Sequence, residues 1–136
     1  MLDSYQDLID ELLGTPKAVR EVIAGGAAPE TLRLIAELRD RDALVLERVQ
    51  RMVRQPFPHL KALPETPEPG EPPSDADALL AAFDTGRGEL VSLLMNLTIK
   101  DWEKTATHDT RDHVSVADEV ESHVEFDEDH VALIRG

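Results

Sequence analysis

Cysteine is absent from the 136 residues, which excludes disulfides, thiolate zinc sites, iron–sulfur clusters and a cysteine nucleophile. Basic residues are few, 14 Lys and Arg against 28 Asp and Glu, leaving a formal charge of −14. Nucleic acid and anionic membranes need a basic surface, so neither is expected as a partner. No apolar run approaches the ~18 residues of a membrane span, and Met1 begins no signal peptide. A cytoplasmic protein is the expectation. Phosphate loops, nucleophile elbows, dinucleotide fingerprints and internal repeats are all missing.

What is present is a folding composition, with 41% apolar residues despite the charge. The length suits one domain spanning residues 1–136, able to bury roughly two-thirds of the surface its unfolded chain exposes. Apolar spacing is helical almost throughout. Tyr5, Leu8, Ile9, Leu12, Leu13, Val19, Val22 and Ile23 mark a first helix with Ser4 as its N-cap. Pro16 predicts a kink or a one-turn break near Gly14 and Thr15, and Gly25 with Gly26 a stop. A second helix of about 27 residues, roughly 40 Å, opens at Pro29 and ends before Pro56. A connection rich in Pro, Glu and Gly follows over 56–74, long enough to cross the end of a bundle or to travel its length.

The third helix runs from about Asp75 to Leu97, and Gly86 and Gly88 inside it predict close packing or a local distortion. A loop then holds Trp102, expected as a core plug, with His108 and His113, and Ser115 caps the last helix through a capping-box pattern. Four amphipathic helices without a strand pattern predict an all-α, antiparallel four-helix bundle.

The last helix carries the chemistry. At about 100° per residue, His123, Asp127 and His130 fall within roughly 60° of one another, inside the valine and isoleucine face. Burying such groups without partners costs ~1–3 kcal/mol each or more, so they should have partners. One reading is a divalent metal site completed from the second helix, where Asp42 lies in the apolar arc and Glu37 on its flank. The other is a buried His–Asp hydrogen-bond network or a wet groove. The seven basic residues between Arg33 and Lys61 alternate with acids and form no nucleic-acid face.

The segment Leu97-Thr98-Ile99-Lys100-Asp101-Trp102-Glu103-Lys104-Thr105-Ala106-Thr107-His108 resembles the passage "LTPEDWERTGTH" of the DinB/YfiT-like four-helix bundles. Leu12-Leu13-Gly14-Thr15-Pro16 and His130-Val131-Ala132-Leu133-Ile134 are similar to parts of that family's first and last helices. The resemblance implies the bundle fold, frequent homodimers and, in many members, a divalent metal (Zn or Ni) on three histidines that activates a small thiol. In that pattern His130 matches the last ligand, Phe126 stands at its partner's position, and Glu37 replaces the histidine of the second helix. The inherited centre is therefore expected to be degenerate, in a non-catalytic or small-ligand-binding protein. The alternative is a metal-dependent transferase or hydrolase on a rebuilt set of Glu37, His123, Asp127 and His130.

Overall fold

The computed structural model describes residues 2–63 and 75–136. Four long helices, α1 (Leu2–Val22), α2 (Pro29–Arg54), α3 (Ala76–Met95) and α5 (Val116–Arg135), form an all-α four-helix bundle with two helices running each way, where the sequence predicted antiparallel neighbours throughout. A one-turn helix α4 (Ile99–Glu103) and the short strands β1 (His59–Leu60), β2 (Thr105–His108) and β3 (Asp112–Ser115) complete the chain. The strands make a small sheet in the order β1-β2-β3, parallel at β1–β2 and antiparallel at β2–β3. Sequence periodicity gave no sign of it, because strands this short show no alternation.

Two apolar clusters mark the ends of the bundle. One gathers Leu12, Val49, Leu60, Leu94, Trp102 and Val120; the other gathers Val19, Ile35, Phe83, Phe126, Val131 and Ile134. It follows that α1 and α5 run one way and α2 and α3 the other. Each helix packs mainly on two others, in the cyclic order α1-α3-α2-α5, so the consecutive helices α1 and α2 lie diagonally. α2 and α3 are therefore parallel. Most of the connection expected over 56–74, whether across the bundle end or along its length, falls on residues 64–74, which lie outside the described residues.

Local chemistry places most boundaries. The Asp75 side chain accepts from the Ala78 N–H to start α3. Reciprocal capping boxes, Thr98 with Asp101 and Ser115 with Asp118, open α4 and α5. The backbone N–H of Thr98, acting first, and its hydroxyl hold the Asp101 carboxyl below the ordinary range. Trp102 is buried and stacks on Tyr5, ring centroids 4.7 Å apart, as a core plug should.

Local expectations differ in α1 and α3. α1 starts at Leu2, ahead of Ser4, and continues through Pro16 without a break. His59 lies in β1, and its ring bridges Thr107 Oγ1 at 2.8 Å and Asp109 Oδ1 at 2.6 Å. Gly86 and Gly88 sit in an unbroken helix, and a Cβ at either position would meet nothing within 4 Å. Close packing therefore does not explain them. Gly86→Ala and Gly88→Ala should each stabilise the fold by about 0.5–1 kcal/mol, read as a higher urea midpoint at unchanged m-value. A lower midpoint would reveal a constraint that the packing does not show.

Candidate functional site: a buried charge cluster at the bundle centre

The inward placement of the last helix's polar residues holds: His123, Asp127 and His130 are all buried. What organises them is a residue the sequence reading passed over. Arg87, only 2% exposed, projects from α3 into the middle of the bundle and bonds to all three other long helices. Its Nη1 donates to the Leu12 carbonyl on α1 at 2.8 Å and to Asp127 Oδ2 on α5 at 2.6 Å. Nη2 donates to Asp127 Oδ1 at 2.8 Å, and Nε to Asp42 Oδ1 on α2 at 3.0 Å. The Asp127 contact is a two-pronged guanidinium–carboxylate pair, the geometry that suits a planar fork.

The remaining lone pairs are taken as well. Thr15 Oγ1 donates to Asp127 Oδ2 at 2.7 Å, and His123 Nε2 meets Asp42 Oδ1 at 2.7 Å. The cluster is thus a hydrogen-bond network of Arg87, Asp42, Asp127, His123 and Thr15. Burial alone would lower the Arg87 guanidinium, but the hydrogen bonds and charges of Asp127 and Asp42 outweigh it and the net shift is upward. Arg87 is a fixed cation.

His130 belongs to a different group. Its Nε2 faces Glu37 Oε1 at 3.4 Å, while Glu37 Oε2 accepts from Arg33 Nη1 at 2.8 Å. The expected four-residue set of Glu37, His123, Asp127 and His130 is therefore split: Glu37 pairs with His130, whereas His123 and Asp127 belong to the Arg87 cluster. Among the described residues, no group of three or more His, Asp or Glu side chains is arranged to hold a metal ion. The donors do not fit one for a positive reason. A guanidinium already occupies the space between the two central carboxylates and hydrogen-bonds to both.

Phe126, at the position where the family resemblance places a ligand, stacks on His130 with centroids 3.9 Å apart and lies under the Arg41 guanidinium at 4.2 Å. Around that ring sit three buried polar atoms with no hydrogen-bond partner among the described residues: Arg41 Nε, His123 Nδ1 and His130 Nδ1. One turn nearer the sheet, Arg48 donates to both Glu119 oxygens, at 3.0 and 2.8 Å, and to the Lys61 carbonyl at 2.6 Å. This second buried pair was also missed. Its signal was available: Arg48 falls between Val45 and Met52, and Arg87 between Phe83 and Leu90, each inside an apolar stripe at helical spacing. Asp42 was recognised on that ground.

No family model matches the chain, and no curated protein matches it by sequence. Among solved structures it is similar to YfiT from Bacillus subtilis, described as "a probable metal-dependent hydrolase with an unusual four-helix bundle topology". The TM-score is 0.82 at 17% identity, over 98% of this chain and 85% of that one. At that identity the likeness is one of fold: the chain shares the four-helix-bundle fold of that protein.

Proposed function

We propose that this chain, built on the YfiT-like bundle, is a small-ligand-binding protein in which the protein's own arginine takes the place of a central metal ion. One observation carries the reading: Arg87 lies between Asp42 and Asp127, hydrogen-bonded to both carboxylates. A divalent ion would have to displace a buried guanidinium, leaving it without its partners at a cost of several kcal/mol. Support for ligand binding comes from the partnerless atoms of Arg41, His123 and His130, since buried polar groups in native proteins are otherwise satisfied.

A second reading rests on those same two imidazole Nδ1 atoms and on the description of YfiT as metal-dependent. It makes the chain a metal-dependent transferase or hydrolase whose Zn or Ni is bound by His130 with Glu37, His123 or Asp127. One experiment separates the two. Calorimetric titration of untagged protein with Zn2+ and then Ni2+ should give no stoichiometric sub-micromolar complex. A one-to-one complex of that affinity, lost in His130→Ala, would establish the second reading in place of the first.

A further inference from the structure

We infer that the cleft bounded by α2, the β2–β3 hairpin and the first turns of α5 is a binding site for a small dianionic oxyanion, of the class of inorganic phosphate or a phosphomonoester group. The inference rests on the ligand-binding reading and names its ligand class. The cleft encloses about 170 Å3 and is lined by Arg41, Arg48, His108, Thr110, Arg111 and Ser122, with Glu119 as its acid. Among the described residues three arginines and one carboxylate line it, a surplus of two positive charges from these groups in a chain of formal charge −14.

Its donors and acceptors are unbalanced in the same sense. Both Glu119 oxygens are already taken by the Arg48 fork, so this carboxylate is not available to Arg41. Among the described residues no carboxylate lies within ion-pair distance of Arg41, and its Nε is buried without a partner. Burial holds the Arg41 guanidinium below its ordinary value, the sign of a cation taken from water without full compensation. His108 Nδ1 accepts from the Thr110 N–H at 3.2 Å, so in the neutral ring the proton sits on Nε2, which is then a donor. Thr110 and Ser122 add hydroxyls. Arg111 also borders a groove of Asp118, Glu121 and Glu125, which shares its charge, so Arg41 is the principal anchor.

Chemistry selects the class. A guanidinium fork with several further donors and no free acceptor matches an oxyanion, and a surplus of two positive charges favours a dianion over a carboxylate. The volume is below the ~300 Å3 at which drug-sized ligands begin, which suits a compact tetrahedral group.

The test is titration of the full chain with inorganic phosphate at pH 7.5 and low ionic strength, followed by calorimetry, with sodium acetate as the second probe. Phosphate should bind at millimolar Kd or tighter and acetate at least ten-fold more weakly. Arg41→Gln should weaken phosphate at least ten-fold. Because Arg41 also packs on Phe126, Thr110→Ala provides an independent variant, with an expected loss of about three-fold at unchanged thermal midpoint. Lys17→Gln, on the exposed side of α1, should have no effect. Phosphate affinity unchanged in Arg41→Gln overturns the site, and equal binding of acetate overturns the dianion class. A chain with Glu65, Glu68 and Glu71 changed to Gln that binds phosphate ten-fold tighter would make the acidic connection the occupant and overturn the free-ligand reading. Absence of phosphate binding overturns this inference alone, whereas the reading of the bundle centre is decided by metal titration.

Discussion

Replacing Arg87 with methionine is expected to destabilise the fold by about 3–5 kcal/mol. Methionine keeps much of the volume, so cavity formation is not the cause. The cost arises because Asp42 and Asp127, 1% and 3% exposed, lose the cation that hydrogen-bonds to both. For a chain of this length that corresponds to a fall in thermal midpoint of about 10 °C or more. The energy is a penalty for stranded carboxylates rather than the worth of the network, which distinguishes two outcomes. Adding Asp42→Asn and Asp127→Asn to Arg87→Met should recover a large share of the loss, because the buried charges have gone. Urea denaturation of the parent chain, the single variant and the triple variant measures this directly. A loss below about 1 kcal/mol in Arg87→Met would mean that the carboxylates find other partners, and that the arginine is not what closes the centre.

Glu119→Ala should be comparably severe, again about 3–5 kcal/mol, through the opposite charge. Arg48 and Glu119 are 6% and 4% exposed, and without the carboxylate only the Lys61 carbonyl remains for a buried guanidinium. Arg48→Met on top of Glu119→Ala should restore most of the stability, since apolar side chains of similar volume commonly replace a buried pair at little cost. A double-mutant cycle by chemical denaturation reads the coupling. If the double variant is as unstable as Glu119→Ala alone, the arginine is held by packing and by the chain around Lys61. The pair also forms one wall of the cleft assigned to an oxyanion, so Glu119→Ala has a second consequence. It removes the one acid that lines the cleft among the described residues while loosening Arg48.

The two buried arginines show how a bundle can carry charge in its centre without a metal ion. Each guanidinium offers five N–H groups in a rigid plane and stays charged at any pH the fold survives. Arg87 uses that plane to reach three helices at once, which no carboxylate or imidazole in the cluster does. The consequence for function is that both central carboxylates are engaged by the arginine, while the partnerless atoms of Arg41, His123 and His130 gather around Phe126. A reading of the last helix alone could not have separated these two regions. His123 and His130 lie on one inward arc, yet one imidazole faces Asp42 and the other Glu37.

Most of the fold was legible because its signals are local. The apolar stripes set the four long helices, and Ser115 with Asp118 starts α5 as its spacing requires. The inward position of His123, Asp127 and His130 followed from the same geometry, since angular position on a helix depends only on sequence separation. Pro16 and the two glycines of α3 misled for a related reason. Helix propensity is a weak local preference of about 1 kcal/mol for Gly and ~3 kcal/mol for Pro, which the packing of a long amphipathic face overrides.

By itself, then, the sequence determined the number of long helices, their approximate limits, the polar residues that turn inward and the absence of cysteine chemistry. Only the tertiary structure decided the order of helices around the bundle and which buried charges meet. Arg87 finds its partners 40, 45 and 75 residues away, on three different helices. Long-range Coulomb and hydrogen-bond choices of that kind leave no periodic trace along a chain. They are made when helices dock, because a charge taken from water must be matched by whichever opposite group the packing brings within about 3 Å.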